Sequence, residues 1–216
     1  MKKDQVFDAL RACRIVPVVK LPNTECAERL GRALLAGGIS CIEVTFRSAA
    51  AEEGIRILSR LPGLLVGAGT IRSVEQARAA QRAGASFVVS PALREDVVRY
   101  ALGEGLAVSP GVCTPGEVER ALDLGVEVLK FFPAESFGGT GTLKALGAVY
   151  PDVPFMPTGG INAKNLMDYL ALDNVLCCGG SWLAETKALS ELRFDEIERR
   201  AREASQLAGS QSRTAH

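Results

Sequence analysis

Histidine and tryptophan each occur only once in this sequence, and the scarcity of histidine excludes the most. Among its 216 residues the one histidine is His216, at the last position. The absence of an interior imidazole excludes the Ser–His and Cys–His nucleophile pairs and argues against a catalytic zinc site. Any chemistry therefore has to use Lys, Glu, Asp, Arg, Tyr or Cys side chains, and we expect no metal.

Net charge and long apolar runs are also missing. The chain carries 25 Lys and Arg against 25 Asp and Glu, so it has no electrostatic footprint for nucleic acid or for an anionic membrane. No apolar run approaches the length of a transmembrane helix, and the opening MKKDQVFDALRACRI has no apolar signal-peptide core. The same stretch predicts a short amphipathic helix over residues 1–13.

The cysteines form no CxxC pair, which removes the usual sequence sign of a metal or redox site. Three of the six lie in apolar, strand-like runs, so small buried residues of a reducing cytoplasm are the simplest interpretation. We therefore expect a cytoplasmic protein. The six are Cys13, Cys26, Cys41, Cys113, Cys177 and Cys178.

Short apolar or β-branched runs alternate with helical stretches along the whole chain. Such alternation implies a parallel sheet, and eight units in 216 residues fit a single α/β domain, a compact (β/α)8 TIM barrel over residues 1–216. A doubly wound open sheet is the alternative, and the tail at 208–216 is expected to be mobile. The predicted strands are 15–19, 41–46, 64–69, 86–90, 106–110, 126–131, 153–158 and 174–178.

The stretch VEVLKFFPAE places a lysine, Lys130, inside an apolar strand. Strand alternation puts Val126, Val128, Lys130 and Phe132 on one face, so the amine is expected near the top of the barrel interior. Desolvation and a neighbouring cation such as Arg47 would favour the neutral amine, which attacks carbonyl groups. The alternative is a lysine that reaches water through a salt bridge at the strand end.

The stretch CIEVTFRS gives the same kind of signal on the second strand. Glu43, Thr45 and Arg47 alternate onto one face and point toward the barrel mouth. Glu43 is then a candidate general base and Arg47 a fork for a carboxylate. The alternative is a Glu–Arg ion pair that closes a strand end.

Two glycine pairs follow the last two predicted strands, where barrels of this type often bind phosphate. PTGGIN contains Gly159 and Gly160, and CCGGSW contains Gly179, Gly180 and Ser181. Glycines let backbone N–H groups approach an anion, and the serine hydroxyl adds a donor. Two tight turns without a ligand are the alternative.

Together these residues resemble the pyruvate-dependent class I aldolases that cleave 2-keto-3-deoxy-6-phosphogluconate and 4-hydroxy-2-oxoglutarate. The matching motifs occur in order between about Ile15 and Trp182. They are EVTFRS from Glu43, VGAGT ending at Thr70, Ser90-Pro91, Pro110-Gly111, KFFPAE from Lys130, PTGGI from Pro157 and GGSW from Gly179.

The resemblance implies a homotrimeric barrel in which Lys130 forms a Schiff base with the substrate and Glu43 moves protons with a bound water. It implies no cofactor, no nucleic acid and no membrane, and a phosphorylated 2-keto acid as substrate in the Entner–Doudoroff pathway. The other roles it implies are these: the carboxylate is held by Arg47 and Thr70, the pocket is lined by Pro91 and Phe132, Thr158 lies beside the substrate hydroxyls, and the phosphate is received by Gly159, Gly160, Gly180, Ser181 and Lys20.

Other phosphate-binding barrels share the glycine loops. A ribulose-phosphate epimerase needs metal-binding histidines that the chain lacks, and a thiamine-phosphate-type synthase leaves Lys130 without a covalent task. A non-catalytic phosphometabolite sensor would not need Glu43 and Lys130 together. Within the aldolase family, the phosphate loops favour the phosphogluconate-derived substrate over its galacto epimer and over 4-hydroxy-2-oxoglutarate.

Overall fold

The structure, a computed structural model, describes residues 1–209, and parallel strands alternate with helices through most of it. His216 and most of the predicted mobile tail lie outside the described residues. The α/β class agrees with the sequence prediction. The strands are β1 Ile15–Val19, β2 Cys41–Thr45, β3 Leu65–Gly69, β4 Phe87–Val89, β5 Ala107–Ser109, β6 Gly111–Val112, β7 Lys130–Phe131 and β8 Cys178–Gly180.

Six of these strands form one curled sheet in the order β5-β4-β3-β2-β1-β8. Every pairing in it is parallel, and Glu43 of β2 lies opposite Val18 of β1 and Gly67 of β3. β6 and β7 form a second parallel pair in which Gly111 lies opposite Lys130. Because only Pro110 separates β5 from β6, the second pair continues directly from the edge of the curled sheet.

The predicted strand at 153–158 is present only as isolated parallel bridges. Phe155 bridges to Leu129 and to Val175, and Thr158 bridges to Gly179. Backbone hydrogen bonds still join this segment to its neighbours, for example from Met156 N to Leu129 O at 2.7 Å. Prolines at 154 and 157 lack the N–H donors that a continuous ladder needs, which explains the interruption.

Helices cover the outside of the sheet and follow the capping signals in the sequence. Ser73 caps its helix through Gln76 N, Thr114 forms a capping box with Glu117, and Gly84 ends a helix in the left-handed conformation. The helices are α1 Lys3–Cys13, α2 Ala27–Ala36, α3 Ala51–Leu58, α4 Val74–Ala83, α5 Glu95–Gly103, α6 Pro115–Asp123, α7 Gly139–Val149, α8 Leu166–Leu170, α9 Thr186–Ser190 and α10 Phe194–Gly209, with a 3₁₀ turn at Glu135–Phe137.

The last helix, α10, packs beside α2 near the start of the chain. Arg29 stacks on the Phe194 ring at 4.2 Å, and Ser205 Oγ donates to Gly38 O at 3.3 Å. Within residues 1–209, none of the helices is both long and apolar enough to cross a bilayer.

The core is apolar apart from a few polar side chains on the inner side of the curled sheet. Burying such groups costs free energy unless they are paired, so a cluster of them marks a place where polar chemistry is retained. The buried polar side chains of the described chain are Glu43, Thr45, Ser90, Ser109, Lys130 and Thr158.

Candidate active site

Lys130 and Glu43 meet in the interior, from β7 and β2. The Lys130 Nζ atom lies 3.5 Å from Glu43 Oε1, with Lys130 5% exposed and Glu43 0% exposed. A lysine this buried does not reach solvent, so the snorkelling alternative does not fit. The alternative interpretation of the second strand was an ion pair between Glu43 and Arg47. In the structure the Glu43 carboxylate pairs with the Lys130 amine instead.

Glu43 keeps acceptor capacity after pairing with Lys130. Within residues 1–209, no protein group donates a hydrogen bond to either of its carboxylate oxygens. Buried carboxylates in folded proteins are normally hydrogen-bonded several times, so this degree of under-satisfaction is a feature of functional sites. Glu43 is therefore placed to accept a proton from Lys130 or from a group bound beside it.

Gly69, at the end of β3, makes room for the Glu43 side chain. A Cβ atom built on Gly69 would lie 1.9 Å from Glu43 Oε1. The next residue, Thr70, has φ of 57°, an uncommon conformation for a residue with a side chain. The VGAGT motif thus contributes close backbone approach at Gly69 and a sharp change of chain direction at Thr70.

Phe132 directly follows β7, and Pro91 contacts β6. The Phe132 ring centre is 5.1 Å from Lys130 Nζ, close enough for a cation–π contact. Pro91 packs its backbone against Gly111, where a Cβ atom would lie 2.3 Å from Pro91 O. Gly111 in turn pairs with Lys130, so both predicted pocket residues adjoin the lysine strand.

A cleft of about 190 Å³ brings together cationic and hydroxyl groups from three predicted motifs. Arg47 Nε donates to Thr45 Oγ1 at 3.2 Å, and Thr45 Oγ1 donates to Val19 O at 3.0 Å, so the arginine is tied to the ends of β1 and β2. Two cations and two hydroxyl groups favour an anion in this cleft, and Glu185 is the acidic member of its lining. The cleft is lined by Val18, Lys20, Arg47, Ser181, Ala184, Glu185 and Thr186.

The sequence predicts both glycine pairs in loops that follow strands, but only Gly159 and Gly160 lie in a loop, because Gly179 and Gly180 form the end of β8. Gly159 and Gly160 have φ of 102° and 84°, conformations that favour glycine. Gly180 is extended but lies under the Trp182 ring, where a Cβ atom would be 1.7 Å from a ring carbon. A Cβ atom on Gly179 would lie 2.3 Å from Thr158 Oγ1, so the loop that contains Gly159 and Gly160 adjoins β8. The helix that follows Gly159 and Gly160 begins at Leu166.

A polar contact that the sequence analysis missed supports the first glycine loop. The buried Tyr169 hydroxyl donates to Glu135 Oε1, and Glu135 N donates to Gly159 O at 3.1 Å. A Cβ atom on Gly160 would lie 2.4 Å from Glu135 Cγ. Burial, and then the hydrogen bond to Glu135, raise the pKa of Tyr169 well above its usual value, so it remains a donor. Glu135 closes the KFFPAE motif, which is the signal that could have revealed it.

The cysteines and acidic residues do not form a metal site. All six cysteines are free. In the part of the chain that the structure describes, no three His, Cys, Asp or Glu side chains are grouped as metal ligands.

This arrangement can be compared with known proteins. Over residues 6–200 the chain matches the family described as "Aldolase: KDPG and KHG aldolase". The chain belongs to this family. It is an aldehyde-lyase, as its motifs predicted, and KDPG and KHG denote the two keto acids named in the sequence analysis.

Individual relatives agree with this assignment over nearly their whole length. A 2-dehydro-3-deoxy-phosphogluconate aldolase of Treponema pallidum is 45% identical over 205 residues, 94% of this chain and 98% of that protein. A KHG/KDPG aldolase of Escherichia coli K12 is 41% identical over 191 residues, 88% of this chain and 90% of that protein. The solved KDPG aldolase of Legionella pneumophila, with pyruvate captured at low pH as a covalent carbinolamine intermediate, is 36% identical, has a TM-score of 0.88, and is similar over 94% of this chain and 97% of that one.

Proposed function

We propose that this aldolase cleaves 2-keto-3-deoxy-6-phosphogluconate to pyruvate and glyceraldehyde 3-phosphate through a Schiff base on Lys130. The buried contact of Lys130 with Glu43 is the observation that carries the proposal. The names of the relatives above support the substrate, and the carbinolamine described for the Legionella enzyme supports covalent chemistry with pyruvate.

The first step joins the enzyme and the substrate. Lys130 transfers a proton to Glu43 and its neutral amine attacks the C2 ketone, giving a carbinolamine. Glu43 returns a proton to the carbinolamine oxygen, water leaves and the protonated imine remains. Both partners of this proton exchange are buried, Lys130 with 5% and Glu43 with 0% of its surface exposed.

The second step breaks the C3–C4 bond. Glu43 takes the proton of the C4 hydroxyl, the bond electrons move into the protonated imine, and glyceraldehyde 3-phosphate leaves. The resulting enamine takes the proton at C3, and water hydrolyses the imine to pyruvate and free Lys130. Acid–base help of this kind contributes about 10² to 10⁴ in rate.

The binding roles follow from the surroundings of the pair. We place the pyruvate carboxylate on Arg47 and Thr70, between the walls formed by Phe132 and Pro91, with Thr158 beside the substrate hydroxyls. The distal phosphate meets both glycine pairs and the cationic cleft. Its proposed contacts are Gly159, Gly160, Gly180, Ser181 and Lys20.

The curled sheet is proposed to close as one eight-stranded barrel domain over residues 1–216. The bridges of Phe155 to Leu129 and Val175 support this closure, because they join β7 to the segment before β8. We further propose a homotrimer located in the cytoplasm. Sedimentation velocity tests the trimer, and a monomer or dimer would contradict it.

A second substrate is 4-hydroxy-2-oxoglutarate, cleaved to pyruvate and glyoxylate. It shares the pyruvate half, and the Escherichia coli relative is named for both keto acids. The substrate preference is tested by comparing kcat/KM for 2-keto-3-deoxy-6-phosphogluconate, 4-hydroxy-2-oxoglutarate and 2-keto-3-deoxy-6-phosphogalactonate. A preference for the non-phosphorylated acid, or for the galacto epimer, would overturn our choice.

Reductive trapping tests the covalent step directly. The enzyme is treated with pyruvate and borohydride, digested with trypsin and weighed. Because trypsin does not cut after an alkylated lysine, labelling should fuse the peptides on either side of Lys130 into one that runs to Lys144 and carries the added mass. Borohydride without pyruvate is the control. Labelling of another lysine, or of none, would refute the mechanism.

A further inference from the structure

Residues 181–185, which join β8 to α9, are held by one residue of α10. Arg200 Nη1 donates to Trp182 O at 2.9 Å and to Glu185 Oε2 at 3.0 Å, and the side chain is 25% exposed. This arginine therefore spans the segment that carries Ser181 at the anion-binding cleft.

The guanidinium of Arg200 is itself fixed in orientation. Its Nη2 atom lies 2.5 Å from Glu196 Oε1, one turn earlier on α10. A planar fork with contacts on two of its edges has little rotational freedom, unlike a lysine ammonium. The Trp182 ring lies over Gly180. The segment is thus fixed to α10 through Arg200 and to β8 through the Trp182 ring.

Glu185 gives this contact an electrostatic role. Glu185 lines the same cleft as Lys20, Arg47 and Ser181, and it is the acidic residue of that lining. An unpaired carboxylate there would repel a phosphate, because like charges oppose binding at short range. The ion pair with Arg200 engages the Glu185 carboxylate and offsets its charge.

We propose that Arg200 is a positioning residue that sets the preference of the enzyme for phosphorylated substrates. It acts through the Trp182 carbonyl, which fixes the backbone at Ser181, and through Glu185, whose charge it offsets. This inference rests on the proposed function and adds a residue outside the site that controls only the phosphate end of the substrate.

The test is Arg200→Ala, measured with both keto acids. We expect KM for the phosphorylated substrate to rise about tenfold, the effect of losing roughly one charge-assisted hydrogen bond, with kcat within about twofold. The kcat/KM for 4-hydroxy-2-oxoglutarate should stay within about twofold, because this substrate has no phosphate. Arg199→Ala is the matched control, since Arg199 lies on the same helix and its ion pair with Glu203 is exposed.

Two further variants separate the two parts of the proposal. The double variant Arg200→Ala/Glu185→Gln removes the repulsion between Glu185 and the phosphate, but residues 181–185 still lack their contact with Arg200. Its KM for the phosphorylated substrate should therefore lie between those of Arg200→Ala and the wild type. Arg200→Lys keeps the charge and loses the fork, so a smaller rise of about threefold is expected. This variant also carries the test if Arg200→Ala does not fold, which thermal denaturation would reveal.

Binding of inorganic phosphate, measured by calorimetry, gives a readout independent of turnover. Arg200→Ala should weaken it in parallel with KM, and Arg199→Ala should not. Equal losses on both keto acids, a fall in kcat alone, or no change would each overturn the role of Arg200. If the wild type cleaves neither keto acid and traps no pyruvate, the proposed function fails, while the phosphate measurement still tests Arg200.

Discussion

The Lys130 amine and the Glu43 carboxylate are each other's ion-pair partner inside the protein, 3.5 Å apart. Removing one member of a buried pair leaves the other charge uncompensated, so a substitution at either position also affects its partner. Substitutions at these two positions are therefore expected to have different consequences for labelling and for turnover.

Replacing Lys130 by methionine keeps the length of the side chain and removes the nucleophile. We expect kcat/KM for aldol cleavage to fall by about 10³-fold or more, because no other group can form the imine. Borohydride labelling with pyruvate should disappear as well. Lys144→Met, at an exposed lysine on α7, is the control and should retain both activity and labelling. Cleavage that survives Lys130→Met would contradict the mechanism.

Glu43→Gln removes the charge at nearly constant volume. We expect kcat to fall by about 10² to 10⁴, because proton transfer to and from the substrate loses its base. Given long incubation, pyruvate and borohydride should still label Lys130, since the amine is retained. The expected pattern is slow turnover with preserved labelling. A variant with normal kcat would show that another group moves the protons.

Gly69→Ala tests the close approach of the β3 backbone to Glu43. The new methyl group would overlap the carboxylate, which must move, and a displacement of about 1 Å can lower the rate about 10²-fold. Overpacking should also lower the free energy of unfolding by about 1–3 kcal/mol.

Gly141→Ala is the matched control for this substitution. Gly141 lies in α7, and nothing would meet a Cβ atom there within 4 Å. Replacing a helical glycine by alanine should raise the free energy of unfolding by about 0.5–1 kcal/mol and leave activity unchanged. Equal effects of the two substitutions on activity would refute the role assigned to Gly69.

Cys13 should be the most reactive thiol at neutral pH. Cys41 Sγ donates to Cys13 Sγ across 2.7 Å, and this hydrogen bond lowers the pKa of Cys13 from its ordinary 9.0 to about 7. The rate of its alkylation by iodoacetamide should therefore rise through about pH 7 as the thiolate forms, followed by peptide mass spectrometry. Cys41→Ala removes the donor and should move the midpoint upward toward 9.

Cys113 provides the comparison within the same chain. It is also half-buried, but burial, followed by its contact with Glu117, raises its pKa above 9.0. Its alkylation should begin only at a pH above that of Cys13. Identical pH profiles for the two thiols would contradict the assignment.

Much of this fold follows from local sequence signals. Ser73 and Thr114 are caps whose side chains satisfy the first helical N–H groups, and that chemistry is readable from three or four residues. The alternation around Glu43 and Lys130 likewise placed both side chains inside, because strand side chains alternate regardless of the partner strand. Their mutual distance was not readable, since it depends on how β2 and β7 are brought together.

The features that could not be predicted depend on contacts between distant segments. The strand at 153–158 is reduced to bridges because two prolines remove donors from a ladder whose partners lie elsewhere in the chain. Tyr169 reaches Glu135, and Arg200 reaches Trp182, only after the helices have packed. No periodicity in the sequence encodes such pairs.

The position of Arg200 on α10 has a consequence for biosynthesis. A ribosome delivers the chain from its first residue onwards, so β8 and the loop at 181–185 emerge before the helix that secures them. The segment that carries Ser181 gains its contacts with Arg200 only after α10 has docked against α2. In a chain halted before residue 200 the affinity for phosphate should therefore be lower than in the complete chain.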